Sequence, residues 1–380
     1  MSGIRPRMGA SQRPRMKILI IKRDPLTRPD GISQFIFSLA GAWLREGHQV
    51  VCAATHGTNL EAGVRGLFEM EQLPQLDVLI NTDHLSDWRK FIAWRRQGAL
   101  LESKYQPDLI LINGAVPIRF RARTILVAHD VERRWLGPLG PLGRILYKTM
   151  TYRLVEKVVT TCPELVPHVA RECRLEPEKI TIIPTCIETK RYSGLPLPQR
   201  QPLILHMGQQ DYKQPRISLQ AFSLVRNAGA RLVVTGKIER SFLRALHKLP
   251  QELQNRVNVP GVVPVQKLKQ LLAEARVVSI PSRYAHPVAS PTALEALASH
   301  TPGVCSKSVT SLMARQGETC FVECTPHGMA QRFDELLGND ELWSRMSSKC
   351  SEIKLQFDAS TIAGQYLKLA MDSAGEKAAS

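Results

Sequence analysis

Short runs of β-branched and aliphatic residues alternate with amphipathic helical stretches along the whole chain. The alternation is broken once, by the three prolines of Ser193–Pro202 (SGLPLPQRQP). Strand, helix, strand, repeated in this way, is the pattern of a parallel sheet covered on both faces, because each crossover helix lies on one face and the strands between must be apolar on both sides. In the first half the strands are read at Lys17–Ile21 (KILII), Gln49–Ala53, Asp77–Ile80, Asp108–Ile112, Thr124–Ala128, Lys157–Thr161 and Lys179–Pro184, with an amphipathic helix over Ser33–Arg45. After the proline-rich break they resume at Leu203–Met207, Arg231–Thr235, Arg256–Val259, Val277–Ile280, Gly303–Ser306 and Cys320–Val322. The fold class is therefore α/β, with two doubly wound domains whose strand ends face each other across a cleft.

The same pattern divides the chain. Residues 1–15 hold Arg5, Arg7, Arg13 and Arg15 with no acid and are expected to form a disordered basic tail. The N-terminal domain spans 16–192, the linker 193–202 and the C-terminal domain 203–358. A last helix in 359–380, read over Ala359–Ala374, has no strand after it and is expected to cross back onto the N-terminal domain.

Composition narrows the classes of function. In 380 residues no apolar run approaches the roughly 18 to 20 residues that a membrane-spanning helix needs. The eight cysteines are scattered, with no C-x-x-C pair and no Cys/His cluster at zinc spacing, so reduced thiols in a cytoplasm and no structural metal are expected. The net charge of +17 calls for an acidic partner, and it is uneven: residues 1–200 carry 30 Lys and Arg against 19 Asp and Glu, residues 201–380 carry 21 against 15. No basic stripe with interleaved aromatics marks a nucleic-acid binder. Trp88–Arg96 (WRKFIAWRR) instead mixes aromatics with four cations, as do Arg133-Arg134-Trp135 and the segment with Arg144, Lys148 and Arg153. An anionic membrane surface is the matching partner, although Trp94 and Ile92 fall on opposite sides at helical period, which equally describes a partly buried helix with solvated arginines.

The chemistry concentrates in Val277–Ser306 (VVSIPSRYAHPVASPTALEALASHTPGVCS). A buried strand ends at Pro281-Ser282, and a helix starts at Ser290-Pro291. Ser is a preferred N-cap and Pro a preferred first residue, so Thr292, Ala293 and Leu294 are expected to offer unpaired N–H groups and a positive helix end to a phosphate. Glu295, one turn in, would repel phosphate but can accept from sugar hydroxyls. A buried βαβ unit with a surface Glu is the plainer alternative. Leu203–Lys213 (LILHMGQQDYK) is a strand, then Gly208, then a polar loop from which Lys213 can reach a phosphate. In the first half, Asp30-Gly31 opens a helix after the first strand, and His129-Asp130 follows Ala128 at a strand's C-terminal end, where cleft residues belong.

Several short motifs now stand in one order: Gly31 and REGHQV, the HD of His129-Asp130, KITIIPTCIETKRY, LILHMGQQDYKQP, RLVVTGK, VPGVVPVQKLKQLLAEARVVSIPS, LEALASHTPGV and GETCFV. From about Met16 to Tyr366 the chain resembles retaining glycosyltransferases of family 4, which have the GT-B fold. The resemblance implies a nucleotide-diphosphate sugar as donor, a glycan or glycolipid acceptor, and no cofactor or metal beyond the donor. It implies retention at the anomeric carbon by front-face displacement assisted by the leaving phosphate, and the absence of D-x-D accords with a metal-independent reaction. It further implies cell-surface polysaccharide or lipopolysaccharide biosynthesis, in the cytoplasm and peripherally at the inner membrane face. Residue by residue, Gly31 would approach the donor phosphate or the acceptor, with Asp30, His129 and Asp130 on the acceptor side and His129 near the transferred sugar. Gly208, Gln209 and Lys213 would meet the diphosphate, Val263 the base through its backbone, Ser290, Pro291 and Thr292 the phosphate, and Glu295 the ribose.

Three positions depart from the family pattern. Gln209 and Gln210 stand where the family commonly has Arg before the phosphate Lys, in a loop one residue short. Pro287 stands where the sugar-binding Glu would be, seven residues plus one before Glu295, with His286 as the nearest polar substitute. Asp30-Gly31 replaces a double Gly. A non-catalytic relative that keeps the fold and binds a nucleotide or a partner protein is the alternative these departures raise.

Overall fold

The apolar strand β1 (Lys17–Lys22) is buried on both faces, with Ile18 and Ile20 in one core and Leu19 and Ile21 in another. That is the period of two expected of a central strand. In the computed structural model of the protein, the described residues are 15–22, 25–26, 30–55, 61, 65, 68, 70–79, 87–114, 119–130 and 154–378. Residues 1–14 of the basic tail and the segment holding Arg133, Arg134, Trp135, Arg144, Lys148 and Arg153 lie outside them.

Around β1 the N-terminal sheet is completed by β2 (Gln49–Thr55), β3 (Gln75–Leu79), β4 (Leu109–Asn113), β5 (Arg123–Ala128), β6 (Lys157–Thr160) and β7 (Ile180–Ile182), in the order β3-β2-β1-β4-β5-β6-β7. All its pairings are parallel. The C-terminal sheet consists of β8 (Gln201–Met207), β9 (Arg231–Thr235), β10 (Val257–Gly261), β11 (Ala275–Ile280), β12 (Gly303–Cys305) and β13 (Cys320–Val322). Its order is β10-β9-β8-β11-β12-β13, again all parallel. Strand order reverses direction between β1 and β4 in one sheet and between β8 and β11 in the other. In open α/β sheets the ligand crevice lies beyond the strand ends at such a reversal.

Helix α1 (Gly31–Arg45) covers one face of the first sheet, with Phe35, Leu39 and Trp43 buried, and the C-terminal helix Ala359–Ala378 packs against it through Ile362, Ala363, Tyr366 and Leu367. Trp43 Nε1 donates to the Ala363 carbonyl at 3.3 Å. The opposite face is closed by the helices Asp87–Tyr105 and Val166–Cys173 through Trp94, Leu101, Val169 and Ala170. α1 starts two residues before the amphipathic pattern does, because the Asp30 carboxylate caps it by accepting from the Ser33 amide at 2.8 Å. β10 runs past Val259 to Gly261 with a shift of register, where Pro260 has no N–H to give the ladder.

The chain crosses between domains twice, and the two crossings are tied together. Ile187 forms a parallel bridge with Asp358, Ala359 N donates to Ile187 O at 3.0 Å, and Thr189 Oγ1 donates to Asp358 at 2.5 Å. Within the proline-rich crossing, Arg200 is buried. Its guanidinium donates to the carbonyls of Leu195, Ala275 and Ser299 and to Thr301 Oγ1, and stacks over Trp343 at 4.7 Å. These bonds fix where β8 begins, at Gln201, inside the stretch read as linker.

Candidate active site

Glycine turns follow β8 and β9, and a third glycine ends β10. Gly208, Gly236 and Gly261 have φ of +91°, +109° and +78°, values that only glycine adopts without strain. The Gly208 amide donates to Thr235 O and the Gly236 amide to Gly261 O, and a Cβ on Gly236 would lie 2.9 Å from Gly208 Cα. The turns therefore nest, and Val263, half-buried, follows the third of them. Gln209 is 2% exposed, and its side chain spans the nest: Oε1 accepts from the Glu239 amide at 3.1 Å and Nε2 donates to Gly236 O at 3.5 Å. The residue at the family's Arg position is thus used within the domain in this arrangement.

Beneath Gly208 lies a buried polar chain that sequence reasoning missed. His206 Nε2 is 2.8 Å from Gly208 O, its Nδ1 is 2.8 Å from Ser218 Oγ, and Ser218 Oγ is 2.7 Å from Ser279 Oγ. A carbonyl only accepts, so Nε2 carries the proton and Nδ1 accepts from Ser218. Burial lowers the imidazole to about 4 and keeps it neutral, which fixes the Gly208–Gln209 peptide plane. The signal in the sequence was one polar residue within the run LILHM.

Lys213 ends the short turn Asp211–Lys213, which Gln214 closes with φ of +54°. Its Nζ donates to Thr292 Oγ1 at 2.9 Å, and burial pulls the ammonium down to about 8, partly offset by the charge of Glu295. Ser290 caps the helix Pro291–Ala298 as its residue type predicts, Oγ accepting from Ala293 N. The three free amides expected at this helix start are not all free. Leu294 N donates to Ser290 O at 3.0 Å and Ala293 N to Ser290 Oγ at 3.4 Å, because the cap supplies a carbonyl as well as a hydroxyl, which leaves the Thr292 amide in that turn. Glu295 Oε1 accepts from Gln34 Nε2 at 3.5 Å and Tyr192 OH at 3.3 Å. Burial raises its carboxyl above the ordinary range, against the opposing charge of Lys213.

Across the cleft, Gly31 opens α1 directly against this helix: a Cβ there would meet Pro291 Cγ at 2.4 Å. Two helix starts, one from each domain, thus touch at the switch points. Asp30 pairs with the buried Lys22, Nζ to Oδ2 2.9 Å, and Lys22 also donates to Ser33 Oγ at 2.6 Å and Pro25 O at 3.1 Å. His129 at the end of β5 lies 2.9 Å from Asn113 Oδ1 through Nε2 and meets the Phe35 ring edge-on, centroids 4.9 Å apart. Burial lowers its imidazole to about 4, with the Asp30 charge opposing and the Lys22 charge reinforcing. Asp130 is exposed beside it. Lys22 and Asn113, neighbours in register on β1 and β4, were not singled out by their sequence context.

The segment around Pro287 turns to the N-terminal domain. His286 stacks on His168 with ring centroids 3.5 Å apart, Cys162 Sγ donates to Pro287 O at 3.5 Å, and Val288 and Tyr284 pack into the N-terminal core. Alongside, Glu164 accepts from Thr310 Oγ1 at 2.7 Å and from Ser311 N at 2.8 Å and Oγ at 2.7 Å. The expectation of His286 at the sugar thus meets an imidazole occupied by a ring stack. Among the described residues no group of three His, Cys, Asp or Glu is arranged to hold a metal, and no described helix is long and apolar enough to cross a membrane.

Comparison with known proteins agrees with this architecture. Residues 29–191 match the Glycosyltransferase Family 4 model and residues 201–339 the model of Glycosyl transferases group 1. No curated protein matches the chain. Among solved structures, a glycosyltransferase from Rickettsia africae superposes with a TM-score of 0.76 at 15% identity, covering 94% of this chain and 98% of that one. HepE of Anabaena, in complex with UDP and glucose, superposes with 0.71 at 15% identity, covering 94% and 100%. WaaG, a glycosyltransferase involved in lipopolysaccharide biosynthesis, gives 0.66 at 14%, covering 93% and 99%. With both halves matching glycosyltransferase family models and more than nine-tenths of the chain superposing on these structures, the chain belongs to the glycosyltransferases of the GT-B fold.

Proposed function

We propose that the protein transfers a sugar, with retention, from a nucleotide-diphosphate sugar to a glycan or glycolipid acceptor at a cytoplasmic membrane face. The observation that carries this reading is the convergence, at the C-terminal switch point, of Lys213, Thr292 and the Ser290-capped helix end, with Glu295 one turn beyond and the His129 side of the cleft opposite. A diphosphate leaving group gains negative charge as the glycosidic bond breaks. A fixed ammonium and a helix start placed where that charge grows stabilise the transition state more than the ground state. Glu295, with its carboxylate oxygens beyond the phosphate zone, accepts from the ribose diol. Retention then needs no protein nucleophile, and the metal is dispensable because the Lys213 ammonium and the helix start take its place. The UDP and glucose bound by HepE and the lipopolysaccharide role of WaaG support the donor class and the cell-surface setting.

The non-catalytic alternative rests on one observation, Pro287 docked on Cys162 where the family's sugar carboxylate would stand. The experiment that separates the readings is a panel of nucleotide sugars incubated with the full chain and with His286→Ala, with product formation or donor hydrolysis as readout. Turnover of at least one donor supports the transferase. Nucleotide binding without turnover of any donor supports the alternative, and equal activity of the variant on the best donor removes His286 from donor recognition.

A further inference from the structure

Asn113 ends β4 beside Lys22 of β1 and Val127 of β5, in the middle of the N-terminal switch point. It is 3% exposed, and its two halves are used unequally: Oδ1 meets His129 Nε2 at 2.9 Å, while Nδ2 is buried without a partner. An amide retained for packing alone would bond through both halves or give way to an apolar side chain of the same volume, so the orphaned N–H calls for another explanation. The carbonyl half supplies one. An amide oxygen only accepts, so the imidazole facing it must carry its proton on Nε2, and its Nδ1 is then an unprotonated acceptor. Among the described residues His129 makes no other hydrogen bond. The charged groups around the ring are Lys22 on β1, Asp30 in the turn before α1, and Asp130 next along the chain, and the Phe35 ring of α1 meets it in a T-shaped contact. Lys22 opposes a second proton on the ring, and its pairing with Asp30 blunts the carboxylate that would favour one.

We propose that Asn113 is a positioning residue that holds His129 as the Nε2–H imidazole, presenting Nδ1 as the acceptor for a hydroxyl of the sugar handled in the cleft. The inference rests on the glycosyl-transfer reading for the identity of that hydroxyl, but the tautomer can be measured without turnover. In histidine-15N-labelled full chain, with the His129 signal identified by its loss in His129→Gln, long-range proton–nitrogen spectra should show a single neutral Nε2–H tautomer from pH 5.5 to 8. Asn113→Ala should give a mixture of tautomers. Asn113→Val, whose branched side chain suits a strand, serves the same purpose should the alanine variant not fold. Asn113→Asp keeps an acceptor and should keep the tautomer, but its added charge should move the ring's titration upward by one unit or more. In donor hydrolysis, Asn113→Ala should lower kcat at least tenfold with KM for the donor little changed. Asn113→Asp should recover activity at the alkaline end, where the imidazole is neutral. An Nδ1–H tautomer in the wild type, or an unaltered single tautomer in both apolar variants, overturns the proposal. The expected tautomers with no turnover of any donor would keep the positioning role and overturn the transfer reading alone.

Discussion

The ammonium of Lys213 rests on a hydroxyl, not a carboxylate, and burial leaves it titrating near 8. Unliganded, the folded state holds this proton less tightly than the unfolded chain does. The Lys213 contribution to stability therefore rises with pH from about 8 to the ordinary lysine range. In the proposed donor site, diphosphate binding should have the opposite sign, because it would use the charged form. Affinity for a nucleoside diphosphate, measured by calorimetry, should fall between pH 7 and 9 in the wild type. In Lys213→Ala it should be weaker throughout, by tenfold or more, and lose that slope, and transfer should be abolished. Unchanged affinity in the variant would show that the loop serves another purpose. Glu295 is the reverse case. Its carboxyl is raised, so between the ordinary carboxylate range and its folded value the native state binds the extra proton, and ionisation there costs stability. Glu295→Gln should melt no lower than wild type at neutral pH while the donor KM rises severalfold. Unfolding of that variant at ordinary temperature would mark a structural acid instead.

At the scale of elements, the contact between the starts of α1 and the Pro291–Ala298 helix depends on a missing methyl group. Gly31→Ala places a Cβ within 2.4 Å of Pro291 Cγ, so one helix start has to retreat from the other. Ala is no worse than Gly at the first residue of a helix, so the N-terminal domain should not be weakened. Activity should drop at least tenfold, small-angle scattering should report a more open molecule, and Pro291→Ala added to the variant should restore part of both. Many of the elements were legible because the central strands are short apolar runs and several helix starts carry a cap of the favoured type: Asp30, Ser290, Thr325 and Asn339 all cap as their residue types predict. The docking of residues 284–288 on the N-terminal domain was not. His286 and His168 are more than a hundred residues apart, and nothing local to either marks a ring that will stack on one from another domain. Gln209 illustrates the same limit, since a polar residue in a polar loop reads as solvated until the neighbouring Gly236 turn is seen to receive it.

At the scale of the whole molecule, the net charge of +17 is a property of the surface and asks what that surface meets. In the helix Asp87–Tyr105, Arg89, Arg95 and Arg96 are exposed and Ile92 is 38% exposed, while Trp94 and Gln97 turn inward, so among the described side chains Trp94 faces the core and these three arginines face outward. An arginine cluster beside an exposed aliphatic suits an anionic bilayer surface, each cation near such a surface contributing on the order of 1 kcal/mol. With several cations engaged, cosedimentation with vesicles containing anionic lipid should be appreciable at low salt. It should fall steeply toward physiological ionic strength, where screening shortens the reach of a surface charge to about 8 Å. Reversing Arg89, Arg95 and Arg96 together to Glu should reduce the bound fraction at least fivefold at low salt. Melting temperature and nucleotide binding should stay within error, because these side chains take no part in the cleft or the core. Equal recovery of the wild type with neutral and anionic vesicles would remove the electrostatic account. It would leave a freely diffusing acceptor as the substrate to be sought.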